Sequence, residues 1–224
     1  MDHDRGLSFL SFDWGKRMKR RIAAALFIAV IAGWGGEAAA QQPYYIGVNG
    51  LYSRIGGDFN GKDGPDAEPG KGAGFVFGLQ LTPAAAFQIT LNRLHHKAEL
   101  TTGVQKSDAI ANEMFLGLKY RFLPLQTIRP FLEASYGFIS FVMKDTPEGR
   151  VKFTGRGLDL GIGADYHFSE SFSVGLAVHR KLLGFDAIRK YNAIEDEVTT
   201  EDLTPNADGV STAMSLGFIY HFQP

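Results

Sequence analysis

Apolar residues alternate with glycine or polar residues along most of the chain after residue 43. The alternation is clearest over residues 158–168, where Leu158, Leu160 and Ile162 are separated by Asp159 and Gly161. A period of two predicts β-strands with one apolar face. Eight such stretches follow one another, at residues 44–53, 73–82, 87–93, 114–122, 130–142, 158–168, 172–179 and 210–222.

The connections between these stretches alternate in length. Short turns are predicted near Pro83, Pro124 and Glu170, and longer connections over residues 57–71, 98–111, 144–150 and 184–209. Transmembrane barrels have short periplasmic turns and longer external loops, and an even strand number returns both termini to one side. The pattern therefore predicts an all-β fold, an eight-stranded antiparallel transmembrane up-and-down β-barrel.

The two faces of each predicted strand indicate how the barrel is oriented. The apolar faces, with pairs such as Phe75/Phe77 and Leu158/Leu160, are predicted to contact lipid, while glycines and ionised residues fill the lumen. A soluble calycin-type binder would reverse the faces, but a small barrel interior has little room for so many large side chains. Aromatic residues cluster at the predicted periplasmic strand ends, as one interfacial girdle would require: Tyr44, Phe87, Phe122, Tyr166, Phe168, Phe172, Tyr220 and Phe222.

The N-terminal segment has the three parts of a signal peptide. A basic cluster ends at Arg21, an apolar run covers residues 22–34, and Ala38-x-Ala40 offers small residues for cleavage. The apolar run is shorter than the roughly 20 residues that a membrane-spanning helix needs. We expect residues 1–40 to be an export signal, with Met18 as an alternative start, and residues 41–224 to form the barrel domain.

Composition excludes several kinds of chemistry. The chain has 23 Lys and Arg against 24 Asp and Glu, a net charge of −1, which does not favour nucleic acid as a partner. It has no cysteine, so neither disulfides nor thiolate metal sites are available. No cofactor and no metal site are predicted. His95 and His96 are adjacent in a strand, so they face opposite sides and are poorly placed to share one ion.

Residues 44–222 resemble the small OmpA-like and opacity-type outer-membrane barrels. The resemblance lies in Arg129-Pro130-Phe131, in the segment 157–168 and in the last strand. It implies a bacterial outer-membrane location after export. In the last strand Ser215, Gly217, Tyr220 and Phe222 match the pattern that the barrel-assembly machinery reads in such families, although Gln223-Pro224 replace the usual terminal phenylalanine. The resemblance thus implies that machinery as a partner.

Charged residues collect on the predicted inner face at the periplasmic end of the barrel. Because a narrow lumen is filled by side chains and buried charge must be paired, we interpret them as an ion-pair plug. A narrow, gated channel for ions or small solutes is the alternative. The cluster consists of Lys119, Arg121, Glu133, Asp165, His167 and His221.

An enzymatic interpretation is a second alternative. Ser173 lies on the same predicted face as Asp165, His167 and His221, and serine, imidazole and carboxylate together can form an activated nucleophile. Lipid-modifying barrels of this size are known, but the stretch after His179 lacks the serine that lipid A deacylases have two residues after their histidine. We therefore assign no catalytic residue and expect no enzyme.

The outer rim offers contacts with the membrane surface and beyond. Arg93 and Arg180 fall on the lipid-facing side at the upper ends of their strands, where a guanidinium can bind lipopolysaccharide phosphates or simply extend to the interface. The last long connection is acidic and could meet divalent cations or basic surfaces, or remain solvated. The overall prediction is a monomeric barrel with an envelope-structural or surface-interaction role, whose partners are outer-membrane lipids, lipopolysaccharide and an extracellular ligand bound by the loops.

Overall fold

The computed structural model describes residues 44–56, 66–99, 107–146, 149–192 and 197–222. The predicted leader and the acidic residues Glu195 and Asp196 lie outside the described residues. The described chain forms the strands β1 (Tyr44–Gly56), β2 (Asp66–Ala67), β3 (Gly70–Gln80), β4 (Ala85–Glu99), β5 (Ser107–Arg121), β6 (Ile128–Thr146), β7 (Gly149–His167), β8 (Phe172–Asn192) and β9 (Glu197–His221).

The strands close into an antiparallel barrel, as the sequence predicts. Each long strand pairs with its neighbours in the chain, β4 pairs with β5, and β9 returns to pair with β1 over Tyr45 to Gly56. Eight strands form the ring. The short β2 lies outside this count and pairs through its two residues with the upper end of β4. Within the described residues, closure leaves no long strand with an unpaired edge, which is the condition for a sheet to cross lipid.

The orientation of the strand faces confirms the predicted arrangement. Phe75 is 66% exposed and Phe77 and Leu160 are also exposed on the outside, whereas Asp165 is completely buried in the lumen. The short turns at residues 81–84, 122–127 and 168–171 are confirmed as well. The described residues contain no helix long and apolar enough to cross a membrane.

Aromatic rings gather at the end of the barrel that carries the short turns. Phe172 contacts Tyr220 with ring centroids 5.0 Å apart, and Tyr220 contacts Phe222 at 4.9 Å. Phe168 stacks on Phe172 at 6.1 Å. Contacts between outward-facing rings at one level are typical of the aromatic girdle at a membrane interface.

The prediction of a long loop over residues 184–209 is wrong for most of its length. β8 continues to Asn192 and β9 begins at Glu197, so the two strands extend the barrel wall upwards. A β-bulge at Asp186 lies between Phe185 and Ala187, and the extra residue turns Ile188 inwards and Arg189 outwards. The sequence did not reveal this extension, because the bulge interrupts the period of two on which the strand prediction depends.

The lumen is not polar along its whole length, in contrast to the predicted filling of glycines and ionised groups. In the part of the chain that the structure describes, fifteen buried apolar residues pack its upper end, and we call them the extracellular apolar cluster. Phe153 and Phe185 meet edge to face there, with ring centroids 6.1 Å apart. The cluster consists of Leu51, Ile55, Ala67, Leu94, Ala98, Ala109, Ala111, Ile139, Phe141, Met143, Val151, Phe153, Leu183, Phe185 and Ile188.

Candidate functional site

The lower lumen holds the charged group that we call the periplasmic ion-pair cluster, formed by Lys119, Arg121, Glu133 and Asp165. Alternation along β5 points both Lys119 and Arg121 inwards, and β7 brings Asp165 between them. Lys119 Nζ lies 2.9 Å from Asp165 Oδ2 and 3.5 Å from Glu133 Oε1, and Arg121 Nε lies 3.2 Å from Asp165 Oδ2. The buried carboxylate of Asp165 thus contacts both cations, and Glu133 supplies the second negative charge that balances them.

Aromatic side chains complete the packing around these charges. Lys119 Nζ lies 3.6 Å from the centre of the Phe131 ring, and Arg121 Cζ lies 5.6 Å from that of Tyr45. Tyr45 is fully buried and donates a hydrogen bond from its hydroxyl to Gln88 Oε1 at 3.1 Å. Its ring crosses the lumen at Gly78, where a Cβ would overlap it. Glycine at this position therefore makes room for an inward aromatic ring.

The two predicted histidines lie next to each other just below the cluster. His167 and His221 have ring centroids 4.8 Å apart, and His221 Nε2 lies 2.8 Å from Ser173 Oγ. The structure therefore brings together all six predicted lumen residues and adds Tyr45, Gln88 and Ser173 to the group.

A second polar chain, which sequence reasoning missed, crosses the middle of the lumen. His179 Nδ1 lies 3.2 Å from Asp159 Oδ1, and His179 Nε2 lies 3.1 Å from Ser215 Oγ. This order of carboxylate, imidazole and hydroxyl is the one that activates a serine in hydrolases. All three residues have inward parity in the sequence, but cross-strand register was needed to show that they meet.

Above this polar chain lies a further buried ion pair, between Glu113 and Lys181. Glu113 Oε2 accepts hydrogen bonds from Lys181 Nζ and, at 3.0 Å, from Asn92 Nδ2. Between the upper pair and the periplasmic ion-pair cluster is a cavity of about 50 Å³, lined by residues that include Asp159, His179 and Ser215. The extracellular apolar cluster fills the lumen above, so the cavity is bounded at both ends.

The two arginines predicted at the outer rim lie on separate walls. Arg93 is exposed on β4, and Arg180 is exposed on β8, where its Nη1 donates a hydrogen bond to Thr212 Oγ1 at 2.7 Å. Going from β4 through β3, β1 and β9 to β8 takes four inter-strand steps of about 4.8 Å each. A single phosphate therefore has no means of contacting both.

The residues of the predicted assembly pattern lie in β9, the strand that closes the ring. Ser215 and Gly217 face the lumen, while Phe222 is exposed beside the first residue of β1, whose carbonyl accepts a hydrogen bond from the Phe222 N–H at 2.9 Å. Tyr220 is opposite both Ile46 and Phe172. These contacts place the pattern at the barrel seam.

The outside of the extended wall above the membrane is basic rather than acidic on β7 and β8. Lys152 and Arg189 are direct cross-strand partners on the outer face, and Arg150 is exposed two residues before Lys152 in β7. Like charges directly opposite each other in a sheet repel. Of the acidic residues in the predicted loop, Asp186 instead contacts Arg156, with Arg156 Nη2 3.4 Å from Asp186 Oδ2.

Within the described part of the chain, no group of three or more His, Asp or Glu side chains is placed to hold a metal ion. His95 is exposed and its neighbour His96 is buried, so the two rings lie on opposite sides of β4.

Comparison with protein families gives one match over most of the chain. The family model described as outer membrane protein beta-barrel domain matches residues 22–222. The comparison with curated proteins gives no match.

The matches to solved structures of the same architecture extend over nearly the whole length of those structures. Neisserial surface protein A is 12% identical with a TM-score of 0.55, over 80% of this chain and 97% of that one. The outer membrane protein OprG from Pseudomonas aeruginosa is 17% identical with a TM-score of 0.56, over 83% and 97%. The outer membrane protein AlkL in lipid bilayers is 13% identical with a TM-score of 0.53, over 85% and 96%. At these identities the likeness shows the fold alone.

Proposed function

The chain belongs to the outer-membrane β-barrel protein family, and from this premise we propose that it is a closed, non-catalytic barrel with an envelope-structural and surface-interaction role. Its location is the bacterial outer membrane. The observation that carries the proposal is the double closure of the lumen, by the periplasmic ion-pair cluster below and the extracellular apolar cluster above. A water-filled passage would have to replace both.

The small cavity between the two closures argues against the two alternatives. Small-molecule sites usually enclose about 300–1,000 Å³, and the cavity beside Asp159, His179 and Ser215 holds about 50 Å³. An acyl substrate would not fit beside the serine, so the polar chain serves to satisfy buried hydrogen-bonding groups. Among the residues that the structure describes, a cavity of this size also offers little room for a hydrated solute.

Planar-bilayer recording of the refolded protein tests the closed lumen. We expect no stepwise single-channel conductance from preparations whose folded state is verified by heat-modifiable gel mobility. Defined, repeated conductance steps from the folded band would contradict the proposal and favour the channel.

The surface-interaction part of the proposal rests on the outer face of β7 and β8. The repulsion between Lys152 and Arg189 would be relieved by a bound polyanion, which supports an anionic extracellular partner. We expect proteoliposomes to bind heparin in a salt-dependent way, and Lys152→Gln/Arg189→Gln to weaken this binding severalfold.

The matched control removes the same charge from another wall, as Arg54→Gln/Lys97→Gln. Both of these residues are exposed on strands β1 and β4. If the two double variants weakened heparin binding equally, the basic face of β7 and β8 would have no special role.

A further inference from the structure

The lipid-facing surface carries a groove between β4, β3, β1 and β9. It encloses about 620 Å³ and is almost entirely apolar. Exposed side chains on neighbouring strands form its walls. The side chains that define it are Ile46, Val48, Phe75, Phe77, Leu91 and Phe218. This volume lies within the range of small-molecule sites, so the groove has room for hydrocarbon chains of a bound lipid.

A gap in the side-chain surface lies directly above the groove. Gly50 and Ala73 are cross-strand partners, and they lie two residues from the groove wall residues Val48 and Phe75, on the extracellular side. The nearest heavy atom to a Cβ built on Gly50 is the Leu216 carbonyl oxygen, at 3.9 Å. The barrel wall is therefore indented at this level, with backbone rather than side chains at the surface.

Basic residues border the gap on its β4 side and above. Arg93 is the partner of Ala73, and Lys71 and His95 are direct partners one row higher. All three are exposed on the outer face. Among the residues that the structure describes, no carboxylate forms a salt bridge with Lys71 or Arg93. The two charges are therefore available to an anion outside the barrel.

We propose that this surface is a binding site for lipopolysaccharide, with acyl chains in the groove and a phosphate of its lipid anchor over the Gly50–Ala73 gap, between Arg93 and Lys71. Guanidinium and ammonium groups bind phosphate through charge-assisted hydrogen bonds, and an arginine can do so with two parallel N–H donors. The low surface at Gly50 and Ala73 lets the phosphate approach without meeting a side chain. The apolar groove below it then shields the adjoining hydrocarbon.

The position along the strands assigns the site to the outer leaflet. The lipid-facing side of β4 is apolar from Ala85 to Leu91, and Arg93 is the next outward residue towards the extracellular end. With a rise of about 3.3 Å per residue and a tilt near 40°, Arg93 lies about 20 Å above Ala85, within reach of the outer edge of an apolar band about 25 Å tall. The proposal depends on the location of the barrel in the outer membrane. It is independent of whether the lumen conducts or the upper wall binds a polyanion.

Arg180 provides a natural control for Arg93. It is an exposed arginine near the upper end of the apolar face of β8, but its guanidinium is hydrogen-bonded to Thr212 and its outward neighbours include Leu182 rather than a glycine gap. Charge alone would make the two arginines equivalent, whereas the proposed site requires only Arg93.

Native mass spectrometry of the refolded full-length barrel in detergent tests the site, with bisphosphoryl lipid A, monophosphoryl lipid A and phosphatidylethanolamine as probes. We expect one preferred bisphosphoryl lipid A adduct. Arg93→Ala/Lys71→Ala should raise its apparent Kd by at least about tenfold, the loss expected for one charge-assisted hydrogen bond. Gly50→Phe, which fills the gap while leaving both cations, should produce a similar loss, and Ala73→Leu is the second variant that fills it.

Two matched variants leave the site intact, and we expect both to stay within about twofold of the unmodified protein. Arg180→Ala removes the other arginine, and Ala134→Phe adds a ring to an exposed small residue on the lipid face of β6. All variants are first checked for heat-modifiable mobility. Equal losses in the control and site variants would overturn the proposal, as would unchanged binding when the gap is filled. Equal retention of phosphatidylethanolamine would replace lipopolysaccharide with a phospholipid.

Discussion

Asp165 is the residue on which the charges of the lower lumen depend. Both of its oxygens are occupied, since Lys119 Nζ lies 3.0 Å from Oδ1 and Arg121 Nε lies 3.2 Å from Oδ2. The two cations are almost as deeply buried as the carboxylate. Removing one member of a buried charge pair leaves the other charge without compensation, which costs far more than the pair contributes.

Asp165→Asn is therefore expected to destabilise the barrel by about 3–5 kcal/mol, because it leaves Lys119 and Arg121 facing each other with only the more distant Glu133. Urea unfolding of the protein refolded into lipid vesicles measures the change. Asp202→Asn is the control, since Asp202 is exposed on the extracellular part of β9 and its loss should change stability by less than about 0.5 kcal/mol. Similar values for the two variants would show that the cluster contributes nothing beyond an exposed charge.

His96 is a buried titratable group at the extracellular end, three residues above Arg93. Its ring lies 6.0 Å from that of Phe141, and its Nδ1 lies 2.9 Å from the Glu68 carbonyl oxygen. Burial lowers the pKa of His96 below its ordinary value of 6.5; the contact with Glu68 and the charge of Glu113 oppose this, and Lys181 adds to it. The folded state thus favours the neutral ring.

Because the unfolded chain binds this proton more readily than the folded one, the stabilisation from neutral His96 is complete above pH 6.5 and is lost as the pH falls below that value. We expect His96→Gln, which keeps a polar side chain that does not titrate, to lose less stability than the unmodified protein between pH 7.5 and pH 5.5. Urea unfolding at the two pH values measures the difference. A His96→Gln variant with unchanged pH dependence would contradict the assignment.

The upper parts of β6 to β9 behave as an element with its own core. Val151 and Phe153 of β7 and Phe185 of β8 are buried inside the wall, while Lys152 and Arg189 face out. This is the arrangement of a soluble β-barrel, apolar inside and charged outside, and the membrane-spanning part below has the opposite one. The two parts share the same strands without interruption.

Phe153→Ala should therefore cost about 3–5 kcal/mol, the usual loss for a large aromatic residue in a protein core, although the residue lies outside the apolar band. Val198→Ala, at an exposed position of β9, should change stability by less than about 0.5 kcal/mol. Unfolding of both variants in lipid vesicles provides the comparison. A small effect of Phe153→Ala would mean that the upper wall is not held by its interior.

Strand parity was the information that the sequence carried best. It placed Phe75 outside and Lys119, Arg121 and Asp165 inside, because successive side chains of a strand point to opposite faces of the sheet. It did not reveal the extension of β8 and β9, where the bulge at Asp186 changes the parity. Nor could it pair Asp159 with His179 and Ser215, because cross-strand partners depend on register and not on local pattern.

At the scale of the whole molecule, the barrel is completed by one long pairing between its first and last strands. β1 and β9 are matched from Tyr45 opposite His221 to Gly56 opposite Val210. The seam also carries Ser215, Gly217, Tyr220 and Phe222. Recognition of these residues by the assembly machinery remains a prediction, supported by their position at the end of the last strand.

Phe222→Ala should reduce the amount of protein that reaches the outer membrane severalfold, because it removes an exposed aromatic residue of the predicted signal, while leaving the closed barrel intact. Quantitative immunoblotting of the outer-membrane fraction measures the first effect, and heat-modifiable mobility of the purified, refolded variant measures the second. Phe168→Ala is the control, an exposed aromatic residue at the same interface in the turn after β7. Equal losses for both variants would point to the girdle instead of the signal.

The aromatic residues packed inside the upper wall determine how rigid the surface is that an external partner contacts. A rim supported by lipid would change shape with bilayer thickness or composition, whereas a rim filled by its own side chains keeps the spacing of Lys152, Arg189 and Arg150 independent of the surrounding membrane. Binding at that face should then survive transfer from native envelope to detergent micelle with little change in affinity. Extraction would remove the lipids and leave the docking geometry as it was.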